Sequence, residues 1–329
     1  MSKNHNILLL CGGGGSEHEV SLESAKYYRA SLSDFFQVEL VIINKDHSWQ
    51  FEDGTNCFLE NSRHLKSANS QTLIHAACPC LHGWPGETGD IQSFFELIDL
   101  PYFGPGPEAN ILCFNKVSTK LWLQAFGLPV VPWLPLTEHG PKSLKLCKDK
   151  LAQWGEGFLK ASSQGSSVGC YPIKSANDLS SSLDGAFNLS PYVLFEKMVK
   201  GRELEVSVYE FAGKVHCSSP GEIIAPDGFY SYEEKYSANS KTQTLTKAQG
   251  LTPAQIQAIQ DYAKQAFTLF KLRHLSRIDF FLEGNDIYIN EINTLPGATG
   301  ISMFPKMLEA NGHQFKTYLY ETFCSLIKD

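Results

Sequence analysis

The sequence predicts an α/β protein in two parts, an open parallel sheet at the N-terminus followed by an α+β region. The first third alternates short apolar runs with amphipathic stretches, the βαβ rhythm of a sheet with helices on its faces. The remainder abandons that rhythm for strands of alternating pattern. At 329 residues the chain also exceeds the size at which one hydrophobic core stops growing, so two or three domains are expected.

Residues 7–10 read as a buried strand that runs into four glycines, 12–15, and then a helix over 17–32. Further strands are predicted at 38–43 and 73–77, a helix at 91–98, and a short strand at 101–103. Pro105, Gly106 and Pro107 then punctuate the chain and place a boundary near residue 110. Beyond it, a helix over 115–126 meets a stop at Gly127-Leu128-Pro129. Strands at 157–160 and 192–196 bracket helical stretches, and strands at 204–211, 214–218 and 222–225 follow. Residues 226–250 are polar with little apolar periodicity, the pattern of a lid or binding loop. A helix over 252–270 has Thr252 as N-cap and Pro253 in its first turn.

The composition, 43% hydrophobic and 19% charged, is that of an ordinary globular protein. A net charge of -7 argues against a general binder of nucleic acid or anionic membrane, because both need a basic surface, but leaves room for a local basic pocket. Nine cysteines lack CxxC pairs, and Cys78 and Cys80 have no partners at zinc spacing. They read as reduced, mostly buried thiols. The N-terminal apolar run is too short for a signal sequence, and no stretch approaches the ~20 apolar residues of a membrane span. The cytoplasm is the expected location.

Four constellations carry candidate chemistry. The glycine run first suggests a dinucleotide fold, but Glu17 stands where a third glycine is needed and the second strand ends in Asn44-Lys45 without an acidic residue for a ribose. Glu17 itself sits at a helix N-terminus, where exposed amides favour its charge; simple capping by Ser16 and Glu17 explains it equally well. Next, KASSQGSSVG, beginning at Lys160, follows a strand; its small residues let backbone amides approach a phosphate, although a flexible serine loop reads almost as well. Glu196-Lys197 and the acid-rich stretch from Arg202 to Glu205 suit ribose and amine groups, or a solvated turn.

The fourth constellation is the most informative. Residues 276–282 and 286–293 read as a hairpin about Gly284, which brings Asp279 within a residue of opposite Glu291 and puts Asn293 on the same face. Opposed side chains lie ~5 Å apart, so two carboxylates and an amide there suit a hard cation such as Mg²⁺; a protonated or screened pair is the alternative. Arg277 shares that face and offers charge to a phosphate. The following Thr-Leu-Pro-Gly turn can present backbone N–H groups to an oxyanion, or serve only as a turn.

The order of GGGGSEHEVS, LHGWPGETGDIQ, the helix with Lys116, Lys120 and Trp122, KASSQGSSVG, EKMVKGRE, YEEKY, RIDF and NEINTLPG resembles the D-alanine–D-alanine ligases of the ATP-grasp superfamily over nearly the whole chain. The resemblance implies a pre-ATP-grasp α/β domain over 1–112 and an ATP-grasp domain over 113–329. The latter divides into a central subdomain, 113–195, and a C-terminal subdomain, 196–329, carrying the lid 226–250. It implies that Glu17, Ser166 and Tyr236 position the first D-alanine, with His82 nearby. Lys116, Lys160, Glu196, Lys197, Val199 and Glu203 match the nucleotide contacts, and Lys235 would reach the ATP phosphates. Asp279, Glu291 and Asn293 match metal ligands, for two Mg²⁺ or Mn²⁺ ions. Arg277 and the Gly297 amide would meet the tetrahedral centre, and Ser302 a substrate carboxylate. The implied activity is ATP-dependent synthesis of D-alanyl-D-alanine through an acyl phosphate, for peptidoglycan precursors, and a homodimer stays open. Thr88, Ala161, Gln164 and Leu295 depart from the usual pattern, which bears on affinity and on the mobility of the serine loop. Sister ligases that make D-alanine–D-lactate or D-alanine–D-serine, and a degenerate nucleotide-binding protein, are the competing readings; Tyr236 favours D-alanine.

Overall fold

The computed structural model describes residues 4–225 and 242–328. The chain opens with β1 (Asn6–Gly12), α1 (His18–Leu32) and β2 (Gln37–Ile43), followed by the short strands β3 (Trp49–Phe51), β4 (Cys57–Leu59), β5 (His64–Ser67), β6 (Gln71–Leu73) and β7 (Ala76–Pro79). The first sheet has the order β3-β2-β1-β7, with β1 parallel to both neighbours and β3 antiparallel at the edge. Ile7, Leu8, Leu9 and Leu10 of β1 are all fully buried, as a central strand covered on both faces demands.

The expected strand at 73–77 is displaced. Leu73 ends β6 on the small antiparallel sheet β4-β5-β6 and is exposed, whereas the small residues Ala76, Ala77 and Cys78 form the buried parallel strand. Apolar bulk pointed at the leucine, but the close-packed position needed small side chains. Strands β3 to β6 went unpredicted because each is only three or four residues long, too short for an alternating pattern to show. Residues 101–103 contribute only an isolated parallel bridge, Ala77 to Tyr102.

Next come α2 (Asp90–Leu97), α3 (Pro107–Phe114) and α4 (Lys116–Ala125). The Pro-Gly-Pro sequence starts α3, with Pro107 in its first turn, so the chain is helical where the boundary near residue 110 was expected. Asn115 caps α4, accepting from the N–H groups of Val117 and Ser118. A second sheet is built from β8 (Trp133–Leu136), β9 (Gly157–Ala161), β10 (Cys170–Ile173) and β11 (Val193–Lys197) in the antiparallel order β10-β9-β11-β8. The helices α5 (Pro141–Trp154) and α6 (Leu179–Leu189) pack against it, burying Cys147, Leu151, Leu183 and Ala186 beside Leu159 and Phe195.

The third sheet comprises β12 (Arg202–Phe211), β13 (Lys214–Cys217), β14 (Gly221–Ile224) and β15 (Gln243–Leu245), then β16 (Leu275–Glu283) and β17 (Asp286–Asn293) after the helix α7 (Pro253–Leu269). Its path is β15-β14-β12-β16-β17, antiparallel throughout, with β13 paired to β12. Thr252 and Gln255 form the capping box that starts α7. Within the stretch expected to be a loop, residues 243–245 are an edge strand on β14; three residues carry too little pattern to show it. The rest of that expected lid, 226–241, lies outside the described residues. The helices α8 (Met303–Ala310) and α9 (Phe315–Lys328) close the chain, and Phe315, Tyr318, Leu319 and Phe323 of α9 pack back on α1 and the first sheet. The C-terminal helix thereby ties the last sheet to the first domain.

Candidate active site

A cavity of about 610 Å³ opens where the N-terminus of α1, the serine loop after β9, the end of the β16–β17 hairpin and the turn before α8 meet. Its chemistry is concentrated on the hairpin. Antiparallel register sets Asp279 directly opposite Glu291 and Arg277 opposite Asn293, the arrangement expected from the alternation. A β-bulge follows Asp279, leaving Asn290 as the extra residue of β17. Across the other edge, Glu205 of β12 faces Asp279.

Arg277 binds Asp279 bidentately, Nε to Oδ1 and Nη2 to Oδ2, both at 2.8 Å, and its Nε stands 3.3 Å from Glu205 Oε1. Burial opposes the guanidinium charge, but Asp279 and Glu205 outweigh it and hold its pKa well above the usual value. Asn293 donates from Nδ2 to Asp279 Oδ2 at 3.0 Å. Arg277 thus lines the cavity as a fixed cation rather than a mobile one. The donor set fits a hard divalent ion: two carboxylates and an amide carbonyl, all oxygen, on one face of a rigid hairpin. Among the described residues, no three Asp, Glu, His or Cys side chains form a group that could hold a metal ion.

Beside the hairpin lies a second charged group. Lys116, at the start of α4, reaches Gln164 O at 2.7 Å and Glu291 Oε2 at 3.5 Å. One turn later on the same helix, Lys120 places Nζ 2.6 Å from Glu196 Oε1, while Lys160 Nζ stands 2.6 Å from Oε2 of the same carboxylate. Burial alone would raise Glu196, but the two ammoniums outweigh it and hold its carboxyl at about 2. Lys160 also donates to Asn290 Oδ1 at 3.2 Å, joining the second sheet to the third.

The third group crosses the domains. Glu17 precedes α1 but makes no side-chain capping bond. Its Oε1 accepts instead from the Ser166 hydroxyl, 149 residues away. Ser166 and Ser167 both take positive φ, 48° and 62°, a conformation uncommon for non-glycine residues. His82 is buried, its Nδ1 3.1 Å from Leu295 O and its Nε2 3.2 Å from Ser24 Oγ; burial lowers its pKa against the opposing pull of Glu17. Glu87 accepts from Gly83 N at 2.9 Å, and burial, reinforced by Glu17, pushes its carboxyl up to about 8. Ser302 accepts from Thr299 N at 3.0 Å, within the turn that carries Gly297.

The expected residues therefore divide. Glu17, His82, Lys116, Ser166, Arg277, Glu291, Asn293, Gly297 and Ser302 line the cavity, with Asp279 buried directly behind Arg277. Lys160 and Glu196 form the adjoining buried cluster. Lys197 points its ammonium toward Glu283, 4.0 Å away, and Val199 and Glu203 also lie off the cavity wall. Tyr236 and Lys235 lie outside the described residues. Sequence reading gave no role to Lys120, Glu87 or Asn290, and put Glu205 in a cluster for ribose and amine groups, whereas it lies against Arg277. The spacing of Lys116 and Lys120 signals one helix face, but nothing local betrays the others' long-range partners. Of the departures, Thr88 bonds Asp90 at the start of α2, Gln164 ties to Leu189 O at 3.0 Å, Ala161 sits against Gly169, and Leu295 is buried.

The family described as D-ala D-ala ligase N-terminus matches residues 6–105, and that described as D-ala D-ala ligase C-terminus matches residues 122–322. A D-alanine--D-alanine ligase of Aeromonas hydrophila subsp. hydrophila is 52% identical over 320 residues, covering 96% of this chain and 97% of that protein. The crystal structure of D-alanyl-alanine synthetase A from Vibrio cholerae has a TM-score of 0.95 at 48% identity and covers 100% of both chains. A D-Ala:D-Ser ligase of Enterococcus faecalis has a TM-score of 0.85 over 98% of this chain and 99% of its own, at 23% identity, a likeness of fold alone.

Proposed function

This chain belongs to the D-alanine–D-alanine ligase family, and from that premise we propose the part each residue plays in the reaction. The protein is an ATP-dependent, ADP-forming ligase that joins two D-alanines for peptidoglycan synthesis. A carboxylate resists attack because it is anionic and lacks a leaving group. Phosphorylation by ATP makes an acyl phosphate, which the amine of the second D-alanine attacks, expelling phosphate as the peptide bond forms. Division of the chain at 112/113 into a substrate domain and an ATP-grasp domain of two subdomains, meeting at 195/196, puts this chemistry at the junction.

Glu17 and Ser166, with Tyr236 of the lid, hold the first D-alanine, and His82 stands behind them. Their hydrogen bond across 149 residues is the observation that carries this reading, because it seats the serine loop on the substrate domain beside the hairpin. Lys116, Lys160 and Lys235 face the phosphates; Glu196, Lys197, Val199 and Glu203 take the base and ribose. Asp279, Glu291 and Asn293 would hold two Mg²⁺ or Mn²⁺ ions, which supply neutralisation of phosphate charge during transfer. Arg277 lies in the cavity wall, fixed by two carboxylates, so that it and the Gly297 amide meet the developing oxyanion without reorganising. Ser302 takes the carboxylate of the second D-alanine. The stretch expected to be a lid, whose residues 226–241 lie outside the described residues, would serve to exclude water, which hydrolyses an acyl phosphate. Among the described residues no helix is long and apolar enough to cross a membrane, and we place the enzyme in the cytoplasm.

Phosphate release and product identity, measured with ATP, Mg²⁺ and D-alanine, test the reading. D-alanyl-D-alanine is the expected product, with D-lactate and D-serine as second substrates giving little. Release with D-lactate but not D-alanine would overturn the assignment of the second substrate. Normal turnover in Ser166→Ala would overturn the role of the Glu17–Ser166 contact.

A further inference from the structure

We propose that Lys120 is a positioning residue for the nucleotide, buried behind Glu196 and fixing the orientation in which that carboxylate receives the amine of the purine base. The inference rests on the assignment of Glu196 to the nucleotide site. Lys120 is only 1% exposed and its ammonium lies against Glu196 Oε1, so it is placed to act through that carboxylate. Its ammonium and that of Lys160 take one carboxylate oxygen each, both at 2.6 Å.

This two-sided clamp has a specific consequence. The last torsion of a glutamate is broad, so a carboxylate held by one lysine can swing. With an ammonium 2.6 Å from each oxygen, the carboxylate cannot swing toward either side without losing an ion pair, which limits the directions its lone pairs can take. An ionised carboxylate is a pure acceptor, which suits an exocyclic amine and opposes a carbonyl at the same place. The clamp also shares a helix with the phosphate side of the site. Lys116 and Lys120 are one turn apart on α4, and the first reaches Gln164 O and Glu291 while the second reaches Glu196. A single short helix thus sets the spacing between the base end and the phosphate end.

The experiment compares Lys120→Met, Lys120→Arg and the double variant Lys120→Met/Glu196→Gln, with thermal unfolding, kcat and the KM of each substrate. The double variant keeps the net charge of the cluster, because one cation and one anion leave together. Lys120→Met is expected to raise the KM for ATP on the order of tenfold, the scale of one weakened charge-assisted contact, with kcat at saturating ATP and the KM for D-alanine close to wild type. Lys120→Arg restores most of the KM for ATP. A merely structural lysine would lower the unfolding temperature and leave the KM for ATP unchanged in Lys120→Met, which overturns the inference. So would equal losses in the Arg and Met variants. If Lys120→Met does not fold, Lys120→Gln, which fills the same space with a neutral donor, carries the measurement. A double variant with a wild-type KM for ATP would remove Glu196 from the nucleotide site altogether; a raised KM there beside a normal one in Lys120→Met removes only the role of Lys120.

Discussion

Gly165 offers a sharp probe of the contact between the two halves of the site. Its φ is not positive, so alanine is permitted by the backbone. A Cβ at this position, however, would stand 2.3 Å from Glu17 Oε2 and 3.2 Å from its Cδ. A relaxed carbon–oxygen contact is at roughly 3.3–3.6 Å, so the carboxylate or the loop must yield by about 1 Å. Glutamate tips are often free to move, but this one accepts the Ser166 hydroxyl on its other oxygen. Gly165→Ala should therefore cost much of that charge-assisted bond, about 1.5–3 kcal/mol, or roughly 10- to 100-fold in kcat/KM for D-alanine. Removing a glycine also restricts the unfolded chain by about 0.4–1 kcal/mol, which offsets only part of that loss, so the variant should be less stable by ~1–2 kcal/mol. The assay is steady-state phosphate release, repeated in a Glu17→Ala background. With no carboxylate to strike, the added methyl should then alter the residual kcat/KM by no more than about twofold, the non-additivity of residues in contact. Wild-type activity in Gly165→Ala, or an equal loss in both backgrounds, would refute the reasoning.

Other expectations follow from the same geometry. Glu87 holds its proton up to about 8 when folded but ionises near the ordinary carboxylate value when unfolded. Its contribution to stability is therefore complete at low pH and is lost as the pH rises through that window. Glu87→Gln should flatten the fall in unfolding temperature between pH 5 and 8 without D-alanine; parallel curves for the two proteins would show that the group does not titrate there. Glu291→Gln should raise the Mg²⁺ concentration needed for half-maximal turnover by at least about tenfold, since a carboxylate ligand is replaced by a neutral one, with circular dichroism unchanged. A magnesium titration superimposable on that of the wild type would remove Glu291 from the ligand set. Arg277→Lys cannot reproduce the two parallel bonds to Asp279, and kcat should fall by about 10- to 1,000-fold while the KM for ATP moves less. A raised KM for ATP with kcat unchanged would assign Arg277 to ground-state binding.

How much of this was legible in the sequence depends on how far apart the interacting residues lie. The hairpin was readable because its partners are close: period-two alternation about Gly284 fixes Asp279 against Glu291 within one residue, and the structure pairs them directly. Local stops and starts were also readable, as with Thr252 and Pro253 at the head of α7. The parallel sheet was legible as a class, but the register of its third strand was not. Apolar weight favoured Leu73 and Ile74, while the buried strand uses Ala76, Ala77 and Cys78, whose fit depends on the helices packed over them. Glu17 shows the limit most clearly. From its neighbours it was as much a cap as a functional group; in the structure its carboxylate makes no capping bond and accepts instead from Ser166, a partner that no local pattern encodes.

The same argument explains why the contacts among the most buried charges were not visible. Lys120, Lys160 and Glu196 are 40 and 36 residues apart along the chain, on a helix and two strands, and each alone resembles a solvated surface charge. Three ionised groups that close together survive burial only if their mutual attraction exceeds the loss of hydration, a balance set by distances that no local pattern encodes. Once the sheet places Lys160 beside Glu196 and α4 brings Lys120 to the opposite oxygen, the carboxylate cannot be left with a single partner at little cost. Removing either partner should strain a buried charge, and a site built this way resists drift in its geometry. Asn290 extends the reasoning to the third sheet. The bulge after Asp279 leaves it as the unmatched residue of β17, and its amide oxygen meets Lys160 at 3.2 Å. An irregularity that would be a defect in a ladder therefore connects the hairpin that pairs Asp279 with Glu291 to the buried cluster of Lys120, Lys160 and Glu196, and so fixes the third sheet against the second.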